Sequence, residues 1–337
     1  MMASSSKIGA FTTETARPVP SREQPLDRVR VIDLSQYVPG PYASRLLCDL
    51  GAEIIKIEPP AGDPLRRLFI QGSEDTSPIY QLLNRGKMIC RIDLKNSETL
   101  SRVRKLVVDA DVVLESYRPG VLERLGLGPD ACHTLNPGLV YCSLSGYGQD
   151  GPAKLSAGHD LNYCAVAGMF SHRIPEKPPL PLVADHSGAL NAVNSILAAL
   201  VGRGQHGQGA RLDISIYEAI LSWQYVAHGS MTDSSRDPLQ LLTGGAACYN
   251  FYRTREGRSI TLGALEPQFW ANFCDAMEHP EWIPRQFATF PQVGLIEEVA
   301  EAVAQLTLDD MEGRLSEVDC CFEPVPPPEE LYNHPQT

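Results

Sequence analysis

Several features that mark common classes of protein are missing from this sequence. No apolar run approaches the roughly 20 residues that a membrane-spanning helix needs. The formal net charge of −12 gives no bulk attraction to nucleic acid. The opening residues are polar and contain no apolar segment, so we do not expect them to form a secretory signal. We therefore expect a cytoplasmic protein that has neither a membrane nor a nucleic acid as a partner.

The cysteine pattern lacks both a CxxC motif and an even count. There are nine cysteines, and most lie within apolar runs, as Cys90, Cys142 and Cys274 do. The vicinal pair Cys320-Cys321 has no histidine at a spacing that is typical of zinc sites. We interpret the cysteines as reduced core residues, and we expect neither a disulfide framework nor a metal site.

The length of 337 residues predicts two domains, because a single hydrophobic core seldom extends over so long a chain. Residues 1–24 are rich in Ser, Thr and Pro and predict a disordered tail. Residues 25–234 are predicted to form a large domain, and residues 235–325 a smaller α+β domain. Residues 326–337 are interpreted as the start of a C-terminal segment that returns to the large domain and is cut short.

Strands and helices alternate through about residue 150, which predicts a parallel sheet. The first unit consists of a strand over 28–34, a helix from about Tyr42 to Leu50 and a strand over Glu53–Glu58. The first turn has no GxGxxG motif, since Gly40 lies between two prolines, so dinucleotide binding is not supported. The fold class is therefore α/β, with a Rossmann-like parallel sheet whose carboxyl edge is the expected ligand site.

The later part of the large domain is predicted to contain a long helix from about Ser187 to Val201. The glycine-rich segment after it, 202–209, lacks the GK[ST] ending of a phosphate-binding loop. We interpret this segment as a tight turn before a strand over 211–216.

A histidine and a carboxylate each stand before an apolar run that predicts a helix. These residues are His159 and Asp185. Both side chains can move protons, and a carboxylate can also attack a carbonyl. Helix N-termini supply N–H groups that favour a developing anion. The simpler alternatives are that Asp185 caps its helix and that His159 is an ordinary surface residue.

Several ordered stretches together resemble one family, the CaiB/BaiF-type family III CoA-transferases, and within it the α-methylacyl-CoA racemases. The resemblance extends over residues 25–335. The stretches that carry it are Pro39-Gly40-Pro41, Asp49-Leu50-Gly51-Ala52-Glu53, Asn84-Arg85-Gly86-Lys87, residues 115–129, Gly158-His159-Asp160, Asp185 and residues 263–269.

The resemblance implies a homodimer of two interlocked rings. It also implies that an acyl-CoA lies between the large domain of one subunit and the small domain of the other. Asp185 is similar to the carboxylate that acts as nucleophile in the transferases and as acid/base in the racemases. His159 is similar to the opposing acid/base, and Glu266 to the residue that holds this histidine. The CoA thioester is the substrate, and no cofactor is expected.

The CoA ligands are also taken from the resemblance. Where the family often has an arginine after the second strand, this sequence has Pro59, with Lys56 nearby. Because CoA carries several phosphates, an acidic protein needs local basic residues to bind it. The predicted CoA-binding residues are Arg124, Arg85 and Lys87, with Tyr37, Val38, Ser116 and Tyr117 lining the nucleotide.

Three functions remain open from the sequence. The matches at His159 and Glu266 favour the first, which is epimerisation of the α-carbon of a 2-methylacyl-CoA by two-base proton transfer. Another is transfer of CoA between an acyl-CoA and a carboxylic acid through an intermediate on Asp185. The last is binding of CoA or a partner without turnover.

Overall fold

A computed structural model of the protein describes residues 24–68, 76–171, 175–230, 238–333 and 335–336. The chain separates into two compact units. The first comprises Met1–Ala167 and Pro179–Leu221, and the second comprises Gly168–Pro178 and Ser222–Thr337. The predicted disordered tail, except for residue 24, and the predicted domain boundary after residue 234 lie outside the described residues.

The first unit is built on a six-stranded sheet in the order β3-β2-β1-β4-β5-β6. All neighbouring strands in this sheet are parallel. The chain reverses its direction of winding between β1 and β4, so a crevice opens at their carboxyl ends. The strands are β1 (Arg30–Leu34), β2 (Glu53–Glu58), β3 (Met88–Arg91), β4 (Val112–Glu115), β5 (Val140–Ser145) and β6 (Ala210–Ser215).

Helices cover both faces of this sheet, which explains why its central strands are nearly continuous apolar runs. The helices on one face pack through Val103 and Val107 onto Ile32 and Val113, all of them fully buried. The predicted Rossmann-like α/β class is confirmed. The helices are α1 (Pro39–Asp49), α2 (Pro78–Asn84), α3 (Ser97–Val108), α4 (Val121–Arg124), α5 (Pro129–Leu135), α6 (Asp160–Val166), α7 (Val183–His206) and α8 (Ile216–Leu221).

Two predicted helix boundaries were wrong. Helix α1 begins at Pro39, not near Tyr42, because proline is tolerated at the first helical position, where its missing N–H is not needed. Helix α7 has 24 residues and includes most of the segment predicted as a turn. It ends only at Gly207, which adopts a left-handed conformation with φ of 71°.

The second unit contains an antiparallel sheet in the order β7-β8-β9. Its core includes Trp270, Phe273 and Trp282, each at most 2% exposed. This unit has the predicted α+β character, although its third strand was not predicted. Its elements are α9 (Tyr225–Ser230), β7 (Tyr249–Arg253), β8 (Ser259–Gly263), α10 (Pro267–Ala276), α11 (Val293–Val303), α12 (Leu308–Leu315) and β9 (Phe322–Pro324).

Across the described ranges, no helix combines the length and the apolar character that crossing a lipid bilayer requires.

Candidate active site

A cavity of about 510 Å³ lies at the crevice between the carboxyl ends of β1 and β4, within the first unit. Its walls come from the loops that follow β1, β4 and β5 and from the beginnings of α6 and α7. This is the position at which a doubly wound parallel sheet binds its ligand. The wall residues that matter below are Gln36, Tyr37, Ser116, Tyr117, Arg118, Gly146, Lys154, His159, Tyr163 and Asp185.

Hydrogen bonds join the loops after β1 and β4 to each other. The backbone N–H of Gln36 donates to Ser116 Oγ at 3.0 Å, and Gln36 Nε2 donates to Tyr117 Oη at 3.3 Å. The backbone N–H of Tyr117 donates in turn to the buried carboxylate of Glu115 at 2.8 Å. Burial raises the pKa of Glu115 to about 7. These bonds give this side of the cavity a fixed shape.

Tyr37 occupies a left-handed conformation, with φ of 62°, that a tyrosine seldom adopts. Its N–H lies 3.3 Å from Asp63 Oδ1, which accepts a hydrogen bond from it. The ring remains partly exposed and meets the ring of His159 edge-to-face, with 6.3 Å between the centroids. The constrained backbone therefore carries a ring that bounds the cavity next to the candidate acid/base.

Asp185 lies in the first turn of α7, half-buried, with access to the cavity. Burial raises the pKa of its carboxyl, and the neighbouring charge of Asp160 raises it further, to about 7. A carboxyl with this pKa exists in both protonation states near neutral pH, which suits a group that accepts and returns a proton.

His159 is the N-cap residue of α6, and its exposed side chain lines the same cavity. Its backbone N–H donates to Asn162 Oδ1 at 3.0 Å, which fixes the start of the helix. The structure thus brings the two residues singled out in the sequence, His159 and Asp185, to one cavity. The predicted helix beginnings at these residues explain why both point to the same edge of the sheet.

One N–H group in the first turn of α7 already has a partner. The N–H of Asp185 donates to Asp160 Oδ1 at 3.0 Å. This donor is committed to α6, so it is not free to hold a developing anion.

Glu266 belongs to the second unit, where it is exposed and precedes α10. Its predicted contact with His159 stays a prediction.

The predicted CoA-binding residues divide into those at the cavity and those away from its walls. Tyr37, Ser116 and Tyr117 line the cavity. Val38 is the N-cap residue of α1, next to Tyr37. The two arginines, Arg85 and Arg124, are exposed and are not among the residues that line the cavity.

The placement of Lys87 argues against its predicted contact with a phosphate. Its side chain is fully buried, and its ammonium donates to Pro41 O at 2.8 Å, Ser44 Oγ at 2.7 Å and Asn84 Oδ1 at 3.0 Å. It also lies 3.5 Å from Asp33 Oδ2. Each of its donors has a partner inside the protein, so Lys87 braces the start of α1 instead.

Lys56 is equally buried and does not replace the missing arginine at position 59. Its ammonium lies 3.2 Å from Asp63 Oδ2 and donates to Ser35 O at 2.6 Å. Burial alone would raise the pKa of Asp33, but the ammoniums of Lys56 and Lys87 lower it to about 2. Through the bond from Lys56 to Ser35 O, this cluster of buried charges holds the loop after β1 in place.

Sequence reasoning missed two exposed cations in the cavity wall, Arg118 and Lys154. Arg118 had a usable signal, because it follows the predicted fourth strand in the same stretch as Ser116 and Tyr117. Lys154 had none, since its loop has no periodic pattern. Among the residues that the structure describes, no cluster of three or more His, Cys, Asp or Glu side chains is placed to hold a metal ion.

Comparison with known proteins agrees with this geometry. The family model described as CoA-transferase family III matches residues 26–337. The chain is 35% identical to a succinyl-CoA–D-citramalate CoA-transferase from Chloroflexus aurantiacus, over 86% of this chain and 72% of that protein. It is 34% identical to an alpha-methylacyl-CoA racemase from Mus musculus, over 91% of this chain and 79% of that protein.

Solved structures give the same result. A CaiB/BaiF family protein from Brucella suis superposes with a TM-score of 0.79 at 27% sequence identity, over 94% of this chain and 87% of that one. Rv3272 from Mycobacterium tuberculosis superposes with a TM-score of 0.78 at 29% identity, over 93% and 87%. With a family model that matches nearly the whole chain and a parallel sheet whose switch point forms the cavity, this chain belongs to CoA-transferase family III.

Proposed function

We propose that the protein epimerises the α-carbon of a 2-methylacyl-CoA thioester by two-base proton transfer. One observation carries the proposal: Asp185 and His159 line the same cavity. The carboxyl has a pKa of about 7, and imidazole is the side chain that most readily gains and loses a proton near neutral pH. The family includes racemases and CoA-transferases, and a pair of acid/base groups is what a racemase needs.

The reaction follows from the chemistry of a thioester. Its carbonyl makes the α-proton acidic, so one of the two groups removes that proton and leaves an enolate. The other group, protonated at that moment, delivers its proton to the opposite face of the same carbon. The two groups have then exchanged protonation states, and each positioned acid/base contributes typically about 10²–10⁴-fold to the rate.

The substrate carries phosphates, and the cavity wall contains two exposed cations, Arg118 and Lys154. We assign the nucleotide part of the acyl-CoA to this side, because guanidinium and ammonium groups pair with phosphate oxygens. Tyr117 and Tyr37 contribute ring surface beside them. The tied loops after β1 and β4 supply a preformed site, which limits the entropy lost on binding.

The remaining parts of the proposal come from the resemblance. Glu266 orients His159, and the active form is a cytoplasmic homodimer. No cofactor beyond the CoA thioester takes part in the reaction. Light scattering tests the dimer, and Glu266→Gln tests the contact with His159 through a loss of exchange that matches the loss in His159→Ala.

The experiment is deuterium incorporation at the α-carbon of each enantiomer of a 2-methylacyl-CoA in heavy water, read by mass spectrometry. The wild-type protein should label both enantiomers. His159→Ala should lose exchange from one enantiomer much more than from the other, because each base serves one face. Asp185→Asn should show the opposite preference. The control is His206→Ala, an exposed histidine at the far end of α7.

Two results would count against the two-base assignment. One is equal residual exchange from both enantiomers in His159→Ala. The other is an absence of labelling by the wild-type protein while it still binds CoA in a calorimetric titration.

A CoA-transferase is the second candidate, favoured by the 35% identity to a succinyl-CoA–D-citramalate CoA-transferase. In that reaction the Asp185 carboxylate attacks the thioester carbonyl, the CoA thiolate leaves, and a mixed anhydride remains on the protein. Hydroxylamine would convert this anhydride to a hydroxamate on Asp185, detected by peptide mass spectrometry. A trapped hydroxamate without deuterium exchange would identify a CoA-transferase. If the protein binds CoA but gives neither the hydroxamate nor the exchange, it binds CoA without turnover.

A further inference from the structure

A buried carboxylate joins the two helices that carry the candidate acid/base pair. Asp160, which directly follows His159, begins α6 and is only 7% exposed. Its Oδ1 accepts the backbone N–H of Asp185 at 3.0 Å, across 25 residues of sequence. The residue next to one candidate group therefore holds the backbone of the other.

The second oxygen of the same carboxylate is also in use. Cys164 Sγ lies 3.7 Å from Asp160 Oδ2 and donates to it. Both oxygens of Asp160 thus accept a hydrogen bond, and the one to Oδ1 holds the first turn of α7.

We propose that Asp160 is a positioning residue that holds the Asp185 carboxyl at the cavity and, as a neighbouring carboxylate, favours its protonated form. The inference deepens the proposed function, on which it rests, by stating how one fold supplies a carboxyl that can both give and take a proton. Asp160 does not touch the reacting atoms, and it acts through Asp185.

The electrostatic part of the argument concerns two carboxyl groups in a sheltered place. Two neighbouring carboxylates repel each other when both are ionised, so the charge of one favours the protonated form of the other. Burial first and the charge of Asp160 second raise the pKa of Asp185 to about 7. Asp160 accepts two hydrogen bonds, one from the N–H of Asp185 and one from the thiol of Cys164.

Other titratable groups near Asp185 do not replace Asp160 as its neighbouring carboxylate. Helix α7 packs against α1, α6, α8, β5 and β6. Burial raises the pKa of Tyr163 to about 12 and that of Cys164 to about 11, so both are neutral at pH 7. Other titratable groups on these elements and loops include Tyr42 beside His186, Tyr147 beside Tyr163, Tyr217 beside Tyr147, Glu218 at the start of α8, and His159, Arg118 and Lys154 in the cavity wall.

A simpler account is that Asp160 only satisfies an N–H group in the first turn of α7. An asparagine would satisfy the same N–H equally well, since its Oδ1 is also an acceptor. The two accounts therefore differ for Asp160→Asn, which keeps the acceptor and removes the charge. They also differ for Asp160→Ala, which removes both.

The test is a direct titration of Asp185 in the full-length protein labelled with [γ-¹³C]aspartate. Asp185→Asn identifies the signal. In Asp160→Asn the midpoint for Asp185 should move to lower pH by about one pH unit or more, as expected when a neighbouring like charge is removed. Asp130→Asn is the matched control, because that carboxylate is 99% exposed and remote from the cavity. An unchanged midpoint in Asp160→Asn overturns the proposal.

The deuterium exchange assay tests whether Asp160 also positions Asp185. The pH profile of Asp160→Asn should shift to the acid side while its maximal rate stays within about tenfold of wild type, whereas Asp160→Ala should lose more rate at every pH. Equal maximal rates in the two variants would contradict the positioning role. If Asp160→Ala does not fold, the midpoint in Asp160→Asn still decides. If the wild-type protein exchanges no deuterium but the Asp185 midpoint still shifts in Asp160→Asn, the proposed function is rejected. The effect of Asp160 on Asp185 is then still supported.

Discussion

Ser116 Oγ accepts the backbone N–H of Gln36 at 3.0 Å. This bond joins the loops that follow β1 and β4 on one side of the cavity. Gln36 follows β1 and Ser116 follows β4, and the two residues are 80 positions apart in the sequence. The bond is part-buried, which makes an unpaired N–H at this place costly.

Ser116→Ala should therefore lower the free energy of unfolding by about 1 kcal/mol, the usual contribution of one hydrogen bond. It should also weaken CoA binding, because the loop that carries Tyr117 and Arg118 loses its tie. Denaturant unfolding and calorimetric titration with CoA measure the two effects. Ser101→Ala, on the exposed face of α3, is the control, and equal behaviour of the two variants would show that the bond is dispensable.

Lys87→Met separates a bracing role from a ligand role. Removing one partner of a buried ion pair typically costs about 3–5 kcal/mol, because the remaining charge loses its compensation. We expect a loss of this order in denaturant unfolding, since Asp33 keeps only Lys56. Lys95→Met, at an exposed position, should change nothing. Weaker CoA binding with unchanged unfolding would restore Lys87 as a direct ligand.

Glu115→Gln should change how stability depends on pH. Burial raises the pKa of Glu115 from its ordinary 4.5 to about 7, so the folded protein binds more protons than the unfolded chain between these values. Stability therefore falls as pH rises through this window, by up to about 3 kcal/mol for one such group. The variant should lose this part of the slope and be more stable than wild type above pH 7.

Urea unfolding at intervals from pH 4 to pH 8 measures this difference. Asp185 titrates in the same range in both proteins, so the comparison isolates Glu115. Glu301→Gln, on the exposed side of α11, serves as the control. Parallel curves for Glu115→Gln and wild type would contradict a raised pKa at Glu115.

Gly146→Ala should displace a ring in the cavity wall. A Cβ at this position would lie 2.5 Å from Tyr163 Oη, which donates to Gly158 O at 2.7 Å. The ring must shift within the wall that it shares with Asp185, and a displacement of about 1 Å near reacting groups costs on the order of 10²-fold in rate. The exchange assay and thermal unfolding together test this. Gly294→Ala, with no atom near its new Cβ, is the control, and equal rates would show that Tyr163 has room to yield.

Gly204→Ala distinguishes a helix from a turn at the end of α7. Within a helix, replacing glycine with alanine typically stabilises by about 0.5–1 kcal/mol, and no atom lies within 4 Å of the added Cβ. Gly207→Ala should do the reverse, because φ at Gly207 is 71°. Thermal unfolding of the pair tests both directions. A loss of stability in Gly204→Ala would favour the turn.

Elements with a strong local signal were predictable from the sequence. Strand β2 has the predicted bounds, Glu53–Glu58. Helices α10 and α12 begin at equally local signals, a proline at the first helical position and a capping threonine. Helix α7 was predicted too short, since its glycines resemble a turn when read locally. Its packing against the sheet and the ion pair between Arg203 and Asp111 extend it instead.

The site was predictable only in part, for a physical reason. His159 and Asp185 were found because each stands near a helix start and matches a family motif. Whether a lysine is buried depends on tertiary packing, so Lys87 was taken for a surface residue. The bond from Asp160 to Asp185 crosses 25 residues, and no local pattern reports such a contact.

The division of the chain into units also bears on how the protein can be taken apart or recombined. Residues 168–178 belong to the second unit, yet they lie in sequence between α6, which His159 precedes, and α7, which holds Asp185. The unit that contains the cavity is therefore not a contiguous stretch of sequence. A gene fragment that ends at residue 221 still carries a piece of the other unit between His159 and Asp185. Grafting a foreign second unit onto this cavity would require the replacement of two separate segments, and the first of them lies between His159 and Asp185.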